Sequence, residues 1–246
     1  MNLLLFDQGE VSENQLCLSG RRARHLLNVL RVTLGETVRV GQVNGPTGTG
    51  RVAEIGKGYV LLELSLGHRP VCDLHLELVL ALPRPIMLQR VLKQATVLGV
   101  RRFYLIRSRR VEKSFFQSPV LKREKIDSLL REGMEQGMDT WLPEVSLHHH
   151  FKPFVQDVAP MLQGEKIIAH PGSMRGMADL LLSPHGGFSR LVLAVGPEGG
   201  WNDFELEMFV KNGFQPFSMG RRILHVDSAV VALIAQLQLL YDVRVT

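Results

Sequence analysis

From residue 75 to the C-terminus, strand-length apolar runs alternate with helix-length amphipathic segments, and this alternation decides the fold class. "HLELVLALP" reads as a strand, and Met87 to Leu98 as an amphipathic helix followed by Gly99. "RRFYLIRS" is again strand-like, and Val120 to Gln136 a charged helix. The pattern continues with a short strand in "PEVSLHH", a helix from Phe154 to Leu162, and strands in "KIIAH" and "RLVLAV". It closes with a helix from Asp203 to Asn212, the strand "FQPFSM", and a last helix from Ala229 to Tyr241. Several strands are apolar throughout rather than alternating, as strands buried on both faces are. Continuous strands separated by helices predict a mostly parallel α/β sheet with helices on both faces.

Residues 1–70 follow another rhythm. "LLLF", "QLCLS", "TVRVG" and "YVLLELSL" are short β-rich runs, and "NGPTGTG" (Asn44 to Gly50) reads as a hairpin turn cluster. One helix interrupts them, with Ala23, Leu26, Leu27 and Leu30 at helical spacing between Arg22 and Leu30. Short strands at close intervals suggest a small β-barrel. The composition shifts at "GHRPVCD" (Gly67 to Asp73), which places the expected division at 1–70 and 71–246.

The formal charge of +5 leans toward an anionic partner, and the basic residues are clustered. "GRRARHLLNVLR", "RSRRVEKSFF" and "KREK" together favour an RNA- or phosphate-facing surface. Cys17 and Cys72 have no second pair, so neither a zinc site nor a disulfide framework is indicated. "HHH" at His148 to His150 is read as surface, because adjacent residues on a strand point to opposite faces and cannot all hold one metal. The start "MNLLLF" is too short for a signal-peptide core, and Ala229 to Tyr241 too short to span a bilayer. The expectation is a cytoplasmic protein without a membrane partner or a metal.

In an open parallel sheet, ligands bind beyond the carboxyl ends of the strands. Three such ends carry unusual residues: "IIAHPGS", "AVGPEGGW" and "SMGRRILHVDSA". In the middle one, Gly196, Gly199 and Gly200 permit positive φ and close approach of a ligand, and Pro197 fixes one dihedral among them. Asn202 and Glu205 have capping-box spacing, and Gly213 suits the far end of that helix. "GPEGG" lacks the third glycine and downstream acid of a dinucleotide fingerprint, and no Lys-Ser/Thr follows to make a phosphate loop. The residues alone admit a tight strand–helix connection as readily as a ligand loop.

"GPEGGW" followed by "MGRRILHVDSA" resembles the RsmE-type 16S ribosomal RNA uridine-N3 methyltransferases, members of the SPOUT superfamily of knotted S-adenosylmethionine enzymes. "HLLNVLRVTLGETVRV", "LALPRPIMLQRVLKQATVLGV" and "AHPGS" extend the likeness along the chain. The resemblance implies an N-terminal PUA-like β-barrel for RNA, a C-terminal trefoil-knotted domain, and a homodimer with cofactor sites by the subunit interface. It places S-adenosylmethionine against His170, Pro171, Gly196, Glu198, Gly199, Gly200, Met219, Gly220, Ile223 and Leu224. Arg222 matches the family's Arg, and with Glu198 and His225 as candidates for proton handling it makes up the expected catalytic set. Arg31 matches the family's "VLR" position, and with His25 and the basic residues Arg84, Arg109, Arg110 and Lys113, and Arg107 beside them, it makes up the expected RNA contacts. The partner would be ribosomal RNA or the assembled small subunit.

The chain departs from the family at its last loop, where His225, Val226, Asp227 and Ser228 stand for the usual Arg-x-Glu-Thr. An imidazole thus takes the place of a permanent cation. Asp227 or Ser228 is expected to cap the final helix. Val97 replaces a common Glu, and "EQGMDT" lacks the relatives' Arg. These changes leave two alternatives to N3-methylation of a small-subunit uridine: a methyltransferase for another RNA site, and an RNA- or cofactor-binding protein without that activity.

Overall fold

The computed structural model describes residues 2–68, 74–181 and 190–245. The segment 69–73, which holds Cys72 and most of the expected boundary, lies outside the described residues. The chain divides into two compact units: Met1–Val71 with Arg131–Leu142, and Cys72–Leu130 with Pro143–Thr246.

The first unit is built on strands β1 (Leu4–Phe6), β2 (Val11–Ser12), β3 (Gln15–Ser19), β4 (Thr37–Gln42), β5 (Thr47–Gly56) and β6 (Tyr59–Leu66). They form one curled sheet in the order β1-β4-β5-β6-β3-β2, parallel between β1 and β4 and antiparallel elsewhere. Phe6, Leu16, Leu18, Val40, Val52, Val60 and Leu62 make its core with Ala23 and Leu26 of the interrupting helix. Strand β5 is the element the sequence conceals. It starts inside the glycine cluster read as a turn, because its glycines are set by close packing. A methyl at Gly48 would fall 2.1 Å from the Ser65 carbonyl oxygen, and one at Gly50 would fall 3.1 Å from Leu62 and Val40.

The helix in this unit is also shorter than its periodicity suggests. Helix α1 (Gly20–Arg24) widens into a π-type turn over His25–Leu30 and ends on Arg31, whose φ of 54° is left-handed. Widening breaks the 3.6-residue register, so Leu30, expected on the buried face, is 48% exposed. The segment Arg131–Leu142 completes the unit. The Asn2 and Leu3 amides donate to the Glu135 carbonyl, Thr140 Oγ1 donates to the Gly45 carbonyl at 2.7 Å, and Arg131 pairs with Asp7 at 3.0 Å. A linear boundary could not foresee this return of the chain.

The second unit is a parallel sheet flanked by helices. Its strands are β7 (His75–Ala81), β8 (Val100–Ile106), β9 (Glu144–His148), β10 (Glu165–Ala169), β11 (Arg190–Val195) and β12 (Gln215–Phe217). Their order is β12-β10-β11-β7-β8-β9, every pair parallel. The chain builds outward from β7 through β8 to β9, and then resumes on the other side of β7. The sheet thus has a reversal point beside its central strands, where α/β sheets open a crevice. Between the strands run α2 (Pro85–Val97), the first part of α3 (Arg123–Gly137), which from Arg131 belongs to the first unit, α4 (Phe151–Pro153), α5 (Met177–Leu181) and α6 (Asp203–Lys211), and α7 (Val226–Val245) ends the fold.

Helix α7 is longer than the segment read from sequence. An 18-residue window, Val226–Val243, has mean hydropathy 1.4, so by length and composition it meets the requirement for a bilayer span. Its apolar residues Val230, Leu233, Ile234 and Leu237 are nevertheless buried within the unit, where the helix packs on α2. His148 also departs from expectation. It is half-buried, with its ring 4.9 Å from Phe154 and 6.1 Å from Tyr104, while His149 and His150 are exposed. Burial holds the His148 ring below the usual imidazole pKa.

Candidate functional site

The carboxyl ends of β10, β11 and β12 enclose a cavity of about 400 Å³. The three loops singled out in the sequence converge there. His170 and Pro171 follow β10, Gly196 and Glu198 to Gly200 follow β11, and Met219, Gly220, Ile223 and Leu224 follow β12; all ten line the cavity. Arg222 and Arg110 line it as well, and so does the start of α7 through Val226, Ala229 and Leu233. His225 does not, and its side chain is exposed.

Each glycine of the middle loop has its own reason. Only Gly200 takes positive φ, at +71°, at the end of a turn closed by its amide on the Pro197 carbonyl at 2.8 Å. Gly196 is set by space, since a methyl there would lie 3.2 Å from the Trp201 indole. Gly199 is set by Arg110, whose Cδ would be 3.0 Å from such a methyl. Of the three glycines that permit positive φ, one uses it, and close packing surrounds the other two. Trp201 is itself held by an aromatic ladder through Phe209 at 5.1 Å to Phe214 at a further 4.8 Å.

The loop is also tied down from outside. The Arg110 guanidinium donates to the Gly199 carbonyl, so this side chain belongs to the cavity wall. Glu198 Oε1 accepts from the Arg84 backbone N–H at 3.2 Å. Downstream, Asn202 and Glu205 form the full capping box of α6, and buried Glu205 also accepts the Arg109 amide at 2.7 Å. One carboxylate thereby locks the segment after β8 to the helix after β11. Gly213, with φ of +87°, ends that helix as expected.

At the third loop, Ser218 is fixed by its amide on the Arg175 carbonyl at 2.7 Å, and its Oγ accepts from the Gly220 N–H at 3.3 Å. From Gly220 to His225 every residue is exposed, with Ile223 at 84%. Helix α7 starts at Val226, one residue before the expected cap. Asp227 therefore lies inside the first turn, buried, with its carboxylate paired to Arg90 at 3.1 Å. The Arg90 pairing could not be inferred from sequence, where 137 positions separate the two residues.

The remaining sequence candidates lie elsewhere. Arg84, Arg109 and Lys113 are exposed, Arg107 is half-buried after β8, and none of them lines this cavity. In the first unit, Arg31 is exposed at the end of the π-type turn. His25 is half-buried, with Nε2 unpartnered and its pKa lowered by burial. Among the described residues, no cluster of three or more His, Cys, Asp or Glu is arranged to hold a metal ion.

The cavity's chemistry suits a flat, partly apolar ligand with a polar chain. Met219, Ile223, Leu224 and Leu233 offer apolar surface, and glycine backbone lets a ligand approach the main chain. Two ring nitrogens of its lining residues, His170 Nδ1 and Trp201 Nε1, are buried with no hydrogen-bond partner. Unpaired buried donors and acceptors are rare in finished structures.

Comparison with known proteins agrees with this architecture. A family model described as RNA methyltransferase domain matches residues 70–238, and one described as RNA methyltransferase PUA domain matches residues 18–65. Ribosomal RNA small subunit methyltransferase E of Treponema pallidum is 30% identical over 96% of this chain and 90% of its own length. The Synechocystis protein of the same name is 27% identical over 95% of this chain and 76% of its own. Among solved structures, a methyltransferase from Legionella pneumophila with bound SAM superposes with a TM-score of 0.77 at 22% identity, covering 97% of both chains. The small subunit methyltransferase E of Neisseria gonorrhoeae bound to S-adenosyl methionine gives 0.76 at 23% identity, over 97% of this chain and 98% of that one. With a relative at this identity over nearly its whole length, and a family model spanning most of its residues, the chain belongs to the ribosomal RNA small subunit methyltransferase E family.

Proposed function

We propose that this chain transfers a methyl group from S-adenosylmethionine to N3 of a uridine in small-subunit ribosomal RNA. The observation that carries the reading is the convergence of the three loops on one cavity with glycine-lined walls and two unpartnered ring nitrogens. Bound there, S-adenosylmethionine supplies an electrophilic methyl on a sulfonium centre. The protein's part is to hold a uracil imide in line with it and to manage the proton and charge of that imide.

Arg222 and Glu198 take this work in our reading: three charged side chains line the cavity, and the third, Arg110, is engaged by the Gly199 carbonyl. The guanidinium of Arg222 stabilises negative charge developing on the uracil oxygens. Glu198 is steadied by the Arg84 amide on Oε1, which leaves its other oxygen to accept the imide proton. His225, exposed beside the cavity rather than in it, serves as a contact for RNA. Arg31, His25, Arg84, Arg109 and Lys113 supply further phosphate contacts, with the salt dependence such contacts bring. The same reading includes a knotted C-terminal segment, a cytoplasmic setting, and a homodimer formed through the exposed apolar residues Ile223, Leu239 and Val243.

The test is calorimetric titration with S-adenosylmethionine, beside a Gly199→Arg variant that fills the cavity. It is followed by methyl transfer to small subunits from a strain lacking the mark, with the product nucleoside identified by mass spectrometry. Donor binding lost in the variant, and 3-methyluridine in the product, support the reading. A different methylated nucleoside replaces the substrate assignment. A folded chain that binds neither donor nor subunit overturns the assignment as a methyltransferase.

A further inference from the structure

A second cavity, of about 730 Å³, lies on the other side of the Arg107–Arg110 segment. It opens at the carboxyl ends of β8 and β9 against the first turn of α6, and its size falls in the range of about 300–1,000 Å³ typical of small-ligand sites. Arg110 turns to the donor cavity, whereas Arg107, Ser108 and Arg109 line this one with His149, Lys152 and Phe204.

Three features of its lining point to one class of ligand. Arg107, Arg109 and Lys152 have no ion-pair partner among the described residues. The only carboxylate in the wall, Glu205, is already taken by the amides of Asn202 and Arg109. The wall therefore carries uncompensated positive charge. Phe204 is half exposed and presents a ring already faced by a cation, with Lys152 Nζ 5.4 Å from its centroid. Ser108 is 2% exposed, and its Oγ is buried without a hydrogen-bond partner. A large apolar residue would be the stable choice at so buried a position unless the hydroxyl had a partner to meet. Cations for a phosphate, a half-exposed aromatic ring with a cation at its face for a base, and an idle hydroxyl form the combination by which single-stranded RNA is held.

We propose that this cavity holds one nucleotide of single-stranded RNA flanking the target base. Its base stacks on Phe204, its phosphate lies among Arg107, Arg109 and Lys152, and Ser108 hydrogen-bonds within the pocket. The inference rests on the RNA-methyltransferase reading for its choice of ligand, but the two can fail separately. Glu205 gives the subsite a mechanical link to the donor site, because it joins the Arg109 amide to the helix that the glycine loop enters. An occupied subsite would hold the neighbouring base against that loop.

The test measures binding of a short fluorescent single-stranded RNA to the full chain and to three variants, Phe204→Ala, Phe204→Tyr and Arg107→Gln. Loss of the stacking face should weaken binding about tenfold or more, and tyrosine should restore it. Arg107→Gln should lower the slope of log affinity against log salt by about 1. A 4-thiouridine version of the RNA should crosslink to the peptide containing Phe151 or Phe204. S-adenosylmethionine titration runs in parallel on each variant and should be unchanged, since none of these residues lines the donor cavity. Variants that lose RNA but keep the donor establish the subsite, and so do variants that lose RNA in a chain that never bound the donor. Unaltered RNA affinity in Phe204→Ala and Arg107→Gln, with crosslinks elsewhere, overturns it. Displacement by an acidic peptide but not by RNA assigns the cavity to a protein partner and overturns it equally.

Discussion

Replacing Gly196 by alanine separates two reasons for a glycine in the loop after β11, lack of room and need for an unusual backbone. A methyl at this position lies 3.2 Å from Trp201 Cε2 and Nε1 and 3.3 Å from Cδ1. Ordinary carbon contacts sit at about 3.5–4.0 Å, so three ring atoms are each a few tenths too close. The indole cannot easily give way, because Trp201 is 4% exposed and braced through Phe209 on Phe214. Relief must come from shifting the ladder or pushing the loop toward the cavity. Overpacking of this kind costs about 1–3 kcal/mol. In a chain of this size each kcal/mol lowers Tm by about 2–4 °C, so the expected drop is about 2–12 °C.

A double-mutant cycle with Trp201→Ala identifies the cause. Alanine removes the ring atoms Cε2, Nε1 and Cδ1 that the new methyl meets, so Gly196→Ala should cost about 1 kcal/mol less in that background. Urea denaturation of the four proteins gives the coupling. Additivity within about 0.5 kcal/mol would mean the indole is not what excludes a side chain, and the packing argument would be refuted. Gly200→Ala is the contrasting control. Open space surrounds its Cβ position, but its φ is +71°, so alanine should cost about 1–2 kcal/mol whatever stands at 201, and asparagine less.

Three further outcomes follow from the same contacts. Glu205→Ala removes the acceptor of the Asn202 and Arg109 amides from a buried site, and should destabilise the second unit by about 2–3 kcal/mol in denaturant titration. Asp227→Ala breaks the pair with Arg90 and should cost about 1–2 kcal/mol, since Arg90 is 54% exposed and its freed charge returns to water; equal stability to wild type would contradict the pairing. In the first unit, the Arg22 hydrogen bond lowers the Glu10 pKa, so the pair stabilises the fold above the ordinary glutamate range. That increment, below about 1 kcal/mol, is lost as pH falls through the lowered native value. The stability gap between wild type and Glu10→Gln should therefore close on acidification, and a gap that widens would reverse the sign of the argument.

Much of the second unit was legible because several of its strands are largely apolar and its helix α6 is capped by local signals. The box at Asn202 and Glu205 and the stop at Gly213 are local signals, and the structure uses both. The convergence of the three loops was legible for a topological reason, since parallel strands bring their carboxyl ends to one edge wherever they stand in the sequence. What stayed hidden was non-local. Strand β5 carries glycines because neighbouring strands crowd it, and a turn-rich composition disguised that. Arg110 and Arg109 are adjacent and equally basic, yet one is bound to the Gly199 carbonyl while the other lines a separate cavity. No periodicity distinguishes them.

The same limit explains the misplacement at the start of α7. A Val-Asp-Ser run before an apolar helix offers two capping residues, and local rules choose one of them. The fold instead places Asp227 one position inside the helix, where Arg90 of α2 supplies a cation that local rules do not see. The departure of His225 from the family's Arg now has a spatial meaning too. The changed residue stands outside the cavity, while Arg222 and Glu198 remain in its wall. Divergence at His225 therefore falls outside the cavity wall, in which Arg222 and Glu198 stand.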